Sequence, residues 1–207
     1  MEVMEALNEI AQLMGCTTWN DGAKLALSRL DSHSKFDPPS MPYEVEVHRL
    51  IKLVNNEESN TFDYYGESLL NIGCSAWMGL EEVDRMDMTA LLVNRQLKYG
   101  PKNIMAFEYK GIAVRMADKV ARIENGEDDF EDEAYNDAVM DLVGYCVIAM
   151  MLHDGTFHLP VQPTLPGFDL DQPPTVTVSD SARPDLFWRG ETYAEHHRLD
   201  EIREQFQ

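Results

Sequence analysis

Seven bases crowd into one stretch of an otherwise acidic chain. Arg95, Lys98, Lys102, Lys110, Arg115, Lys119 and Arg122 stand against only Glu108 and Asp118, in a protein of 207 residues with 17 Lys and Arg, 37 Asp and Glu, and a formal charge of −20. From Glu124 to Asp141 the chain then carries nine carboxylates and no base. On a helix, residues three, four and seven apart share a face, so Arg115, Asp118, Lys119 and Arg122 form one charged stripe while Ile112, Met116, Val120 and Ile123 lie on another side. The plain reading of such a stripe is a solvated face laced with ion pairs. In the next segment Glu133, Asp137 and Asp141 recur every four residues, but beyond Asp137 the sequence is apolar all round: Val139, Met140, Leu142, Val143, Cys146, Val147, Ile148. A helix of that kind is buried, and Asp141 is buried with it. A lone carboxylate there is costly, so it must be paired with a base, be protonated or hold a metal ion. Arg115, Lys119 and Arg122 are the candidate partners.

Two explanations stay open at this level. One is a structural ion network between helices. The other is a site in which carboxylates hold a divalent cation while bases receive an anionic group. Hard cations take oxygen ligands and keep substrate phosphates in their shell, so acids beside a basic stripe, with few His and no Cys cluster, point to Mg²⁺ and a phosphorylated ligand rather than to zinc. Other arrangements are weaker. Glu81 and Asp84 are i,i+3 acids at a helix start, where the helix dipole favours acids anyway. The run EDDFEDE lacks the spacing of a calcium loop and reads as a solvated loop. No P-loop, no G-x-G-x-x-G and no Ser/His/Asp or Cys/His arrangement is present.

The elements that must position these residues are helical. Apolar spacing predicts a helix over Val3–Met14, a second through AKLALSRL capped by Asn20-Asp21, and a third over YEVEVHRLIKLVNN, with Val45, His48, Leu50 or Ile51 and Val54 on one side. His48 there reads as a packing residue. The stretch 62–80 stays open between an irregular helix and a packed loop. Three further helices follow: EEVDRMDMTALLVNRQLKY stopped by Gly100-Pro101, GIAVRMADKVARIEN stopped by Gly126, and EDEAYNDAVMDLVGYCVIAMML stopped by Gly155. Nothing alternates with period two, so the expected class is all-α: an antiparallel helical bundle over residues 81–155, with a helical extension over 1–80 packed on it. Six of the ten prolines fall between Pro160 and Pro184. That composition predicts an extended, proline-rich arm over 156–190 and a short terminal helix over 191–207.

Composition bounds the partners. A hydrophobic share of 44% supports a real core. The charge argues against coating nucleic acid or an anionic membrane, because affinity for phosphate backbones comes from clustered Lys and Arg releasing counterions. Cys16, Cys74 and Cys146 are odd in number and widely spaced, which suggests a reducing compartment. The first residues carry acids where a secretory leader needs bases, and the longest apolar run, Val147–Leu152, is too short to span a bilayer, so a cytoplasmic protein is expected.

The runs LKYGPKNIMAF, RMADKVARIEN and DAVMDLVGYCVIAMML resemble the phage-associated nucleotide-modification-associated domain family, an all-helical group related to MazG-like nucleoside triphosphate pyrophosphohydrolases. The likeness covers residues 86–153, through K-Y-G, R-x-x-D-K-x-x-R and D-L-x-G-Y. It implies a helical bundle, often oligomeric, that handles free nucleotides in the cytoplasm of a phage-infected cell. The MazG-like pattern places E-x-x-E on one helix and E-x-x-D on the next, gathering Mg²⁺ at a triphosphate. Here Asp118 stands at the second acid of the first pair and Arg115 replaces its partner. Asp141 fits the final Asp, while Ala138 replaces the Glu and Asp137 sits one residue earlier. The resemblance therefore implies catalytic roles for Asp118 and Asp141, and Mg²⁺ held by Asp118, Asp137, Asp141 and Glu133, with Glu124 as possible help. Lys98, Lys102, Arg115, Lys119 and Arg122 would then neutralise phosphates, and Tyr99 and Asn103 would contact base or sugar. The expected function is a Mg²⁺-dependent pyrophosphohydrolase acting on free nucleotides. The alternatives are a nucleotide-binding or sequestering protein that does not cut, and an acidic scaffold or inhibitor of a host protein.

Overall fold

The structure, a computed structural model, describes residues 11, 14–39, 41, 43–56, 59–125 and 133–163. The helix expected over Val3–Met14 lies almost wholly outside the described residues. So do the acidic run after Asn125, most of the proline-rich arm and the terminal helix. Among the described residues there are six α-helices, one short 3₁₀ turn and no strand: α1 Trp19–Phe36, α2 Tyr43–Asn56, α3 Phe62–Gly79, α4 Glu82–Tyr99, α5 Lys102–Asn125 and α6 Glu133–His153, with the turn at Thr156–His158. The all-α class read from the spacing is the one observed.

α6 is the central helix among the described residues. Its residues from Ala138 to Met151 are buried almost without interruption, and it packs against α3, α5 and α1, while α2 lies on α3 and α5. The stretch Tyr135–His153 is also long and apolar enough to cross a bilayer by composition, a longer span than the apolar run marked in the sequence. Most of it is buried among the other helices, which is how the central helix of a folded core passes the same test. The closest neighbour of α6 is α3, the stretch whose conformation the sequence leaves open. Glycines lower intrinsic helix propensity, but packing contributes more to a helix in a protein than propensity does. Gly73 shows what they do here: a Cβ at that position would fall on Cβ and Sγ of Cys146, so the two helices meet closely at a spot where α3 has no side chain. Tyr65, Leu69, Ile72 and Trp77 then bury the rest of that face. Since α1 and α3 pack directly on α6, the segment before residue 80 is part of the same core as the segment after it.

Several local details differ from the sequence reading. The cap of α1 is Thr18 and not Asn20-Asp21: Thr18 Oγ1 accepts from the Asp21 backbone N–H at 3.2 Å, and Asp21 Oδ2 accepts from the Thr18 N–H at 3.0 Å, a reciprocal capping box. Asn20 instead ties the start of α1 to the chain beyond α6, donating to the Gln162 carbonyl at 3.0 Å and accepting from its N–H at 3.1 Å. In α2 the buried side runs through Glu46, Val47, Leu50 and Val54, with Val45 exposed. α4 ends where Gly100 takes φ 68°, a conformation glycine adopts without penalty.

α5 begins earlier than expected, at Lys102, because it is two helical arms joined at a break. Glu108 sits at φ 47°, ψ −131°, a region that side-chain-bearing residues seldom occupy. The break frees the Phe107 carbonyl and the Lys110 N–H, and Asn60, in the loop between α2 and α3, takes both. Its Nδ2 donates to Phe107 O at 3.2 Å and its Oδ1 accepts from Lys110 N at 2.8 Å.

Candidate functional site

The cluster is built around Asp141. Because α6 is buried on all sides, the Asp141 carboxylate is only 3% exposed, and two cations from two other helices reach it. Met88, Leu92 and Arg95 follow one another at helical spacing along the face of α4 that turns inward. The approach to α6 is close because Gly144 has no side chain: a Cβ there would stand 3.2 Å from Leu92 Cδ2. Arg95 Nη1 then donates to Asp141 Oδ1 at 2.6 Å. From α5, Lys119, also buried, brings its Nζ to 3.0 Å from Asp141 Oδ2. Both carboxylate oxygens are thus occupied by cations.

Burial pushes the Asp141 carboxyl up, to about 6, while Arg95 and Lys119 pull it back and the nearby charge of Asp137 adds to the rise. One turn on, Tyr145 is fully buried. Its phenol is held well above its usual range by burial first and by the Asp141 charge second, with Arg115 and Arg95 opposing. Arg95, Arg115, Lys119, Asp118, Asp137, Asp141 and Tyr145 therefore share one electrostatic neighbourhood.

The other residues singled out in the sequence divide by position. Asp118 pairs along its own helix with Arg122, Oδ2 to Nη2 at 2.9 Å, and Arg115 Nη1 donates to the Gly111 carbonyl at 3.3 Å. Lys98 and Tyr99 lie on the last turn of α4, just beyond Arg95, with the Lys98 ammonium 5.0 Å from the centre of the Tyr99 ring. Lys102 and Asn103 belong to the first arm of α5, before the break at Glu108, and among the described residues no hydrogen bond or ion pair joins them to Asp141. Glu124 is exposed near the end of α5. Glu133 opens α6, and its side chain lies outside the described residues.

Among the described residues no group of three or more His, Cys, Asp and Glu stands together as a metal shell. The carboxylates as placed do not fit Mg²⁺: Asp141 has both oxygens on cations, Asp118 is bonded to Arg122, and Asp137 is exposed on the α6 surface. What the arrangement offers is a buried carboxylate held by two cations, flanked by Arg115 and, one turn along α4, by Lys98. Arg95 is the residue that the sequence reading missed as a partner of Asp141. The signal was present, because a base spaced seven from Met88 and three from Leu92 lies on the apolar face of its helix and must find a carboxylate there. No family model, no curated protein and no solved structure matches this chain.

Proposed function

We propose that this protein binds a free nucleotide, or a closely related phosphorylated small molecule, over the cluster at the meeting of α4, α5 and α6, and holds it without cutting it. The observation that supports this reading is the double engagement of Asp141 by Arg95 and Lys119. It keeps two cations oriented inside the fold, beside Arg115, for phosphate oxygens to meet. Arg115 and Lys98 extend the cationic surface, and Tyr99, half-exposed at the helix end, offers a ring against which a base can stack. A site of this kind needs no metal.

A second reading is the Mg²⁺-dependent pyrophosphohydrolase that the MazG-like resemblance implies. One observation favours it: Asp137 acts on Asp141, and Asp118 and Asp141 both act on Tyr145, so the three acids border one neighbourhood across α5 and α6. It requires Lys119 to give up Asp141 when substrate arrives. The two readings separate in one experiment, thermal unfolding with a panel of ribo- and deoxynucleotides, each in EDTA and in Mg²⁺. A ligand present at a hundred times its Kd stabilises the fold by roughly 2.7 kcal/mol, which moves the midpoint by several degrees. Sequestration predicts a shift that persists in EDTA, with Arg115→Gln weakening binding about tenfold through loss of one charge-assisted contact. A shift seen only with Mg²⁺, accompanied by pyrophosphate release, supports hydrolysis instead. No shift with any nucleotide overturns both readings and leaves the acidic scaffold.

A further inference from the structure

The break in α5 sets one aromatic side chain in an unusual place. In an unbroken helix, Cβ atoms four residues apart stand about 5–6 Å from one another. Here a Cβ built on Gly111 would meet Cβ of Phe107 at 2.5 Å and its Cγ at 3.6 Å. The positive φ of Glu108 therefore draws Phe107 across the second arm of the helix, onto a residue that has no side chain. Any other residue at 111 would collide with it. Asn60 fixes the arrangement by holding the Phe107 carbonyl on one side of the break and the Lys110 N–H on the other. Strain that its surroundings hold in place is a reason to look for a use. The side chain positioned in this way is apolar, yet it is 51% exposed and so serves the core only in part.

The other neighbour of the bare spot at Gly111 is a cation. Arg115 Nη1 would stand 3.2 Å from the same built Cβ, and it donates to the Gly111 carbonyl at 3.3 Å. Lys119 continues the row toward Arg95 and Asp141. With a rise of 1.5 Å per residue, Gly111, Arg115 and Lys119 follow one another at intervals of about 6 Å along the axis. The remaining charges on this side of α5 leave the row clear. Asp118 and Arg122 are bonded to each other, and beside the ring Glu108 is matched in sequence by Lys110. A ring, a gap and then cations are the order of parts in a nucleotide laid along the helix, with its base on Phe107, its sugar over Gly111 and its phosphates toward Arg115 and Lys119.

We propose that Phe107 is the base platform of the site, and that nucleotides are held by stacking without the edges of the base being read. This rests on the nucleotide reading above and deepens it. A phenyl ring has no donor or acceptor, and every base has a face to lay on it, so the ligand class is nucleoside phosphates of any base. Inorganic polyphosphate meets only the cationic part of the row. The test is calorimetric titration in EDTA with ATP, CTP and inorganic triphosphate. Phe107→Ala is expected to weaken ATP and CTP about tenfold and to leave inorganic triphosphate unchanged, while Phe107→Trp restores both nucleotides. Arg115→Gln should weaken all three probes. Should Phe107→Ala fail to fold, Phe107→Leu makes the same comparison with the apolar bulk kept. If nucleotides bind and Phe107→Ala affects all three probes equally, or none, the platform is overturned and the nucleotide reading stands. The same holds if Tyr99→Leu, which removes the ring beside Lys98, causes the nucleotide-selective loss instead. A preference of about a hundredfold for one base overturns recognition by stacking. If none of the three probes binds the wild type, the nucleotide reading itself falls, and the platform with it.

Discussion

At the residue scale, the chemistry of this protein turns on a carboxylate that has been taken out of water and given two cations. The spacing of apolar residues around Asp141 was enough to read its burial, and the basic stripe on α5 was enough to name Lys119 as a candidate partner. The spacing of Arg95 from Met88 and Leu92 puts it on the apolar face of α4, but which carboxylate it meets depends on how α4 lies across α6, a crossing made possible by Gly144. The folded carboxyl is harder to ionise than the unfolded one, its pKa rising from 3.8 to about 6. Between those values the folded state therefore holds more protons than the unfolded chain, and the contribution of this group to stability falls as the pH rises across that window. Lys119→Met sharpens the effect by removing one of the two charges that favour ionisation, which moves the carboxyl further up. At pH 8 the variant is expected to lose about 2–3 kcal/mol of stability, somewhat below the usual cost of breaking a buried pair because Arg95 remains. At pH 5, with the carboxyl protonated in both proteins, the loss should nearly vanish. Denaturant unfolding of both chains at the two pH values checks this, and a loss of equal size at both would mean that Lys119 contributes by packing alone.

At the element scale, the helices with clean apolar spacing and recognisable stops were legible. α2, α4 and α6 run close to where their stop signals place them. The misses have particular causes. α3 was left open because Gly66, Gly73 and Gly79 look like breakers in a sequence, whereas Gly73 is where Cys146 of α6 passes. The early start of α5 was hidden because its first arm is supported by a side chain from another loop, Asn60, across the break at Glu108. That break gives two opposite expectations. Glu108→Gly relieves a conformation that costs a residue with a Cβ about 1–3 kcal/mol, partly offset by the greater freedom of glycine in the unfolded chain, so the thermal midpoint should rise by about 2–4 °C. Asn60→Ala abandons two exposed hydrogen bonds and should lower the midpoint by a similar amount. Calorimetry on the two variants measures both. If they moved in the same direction, Asn60 would not be holding the two arms of α5 together.

At the scale of the whole molecule, the division between a helical extension over 1–80 and a core over 81–155 is one of sequence likeness, whereas the described helices on both sides of it pack together. α6 has its closest neighbour in α3 and a further one in α1, so both halves of the described chain build one interior. A chain beginning at residue 81 would expose the apolar sides of α6 that α1 and α3 cover. It is expected to be largely unfolded or aggregated by circular dichroism and light scattering, and a soluble, cooperatively melting fragment would show that α4, α5 and α6 suffice. The crossing at Gly73 and Cys146 has a kinetic consequence. Cys74 and Cys146 are both fully enclosed, and burial raises both thiols above their usual range, that of Cys146 strongly and with a further push from Cys74. Neither presents a thiolate to solvent while α3 and α6 stay in contact, so an alkylating reagent can reach them only when the helices part. With the reagent in excess, the rate at which the second and third thiols of the chain are modified would stop depending on reagent concentration and report the lifetime of the closed core directly.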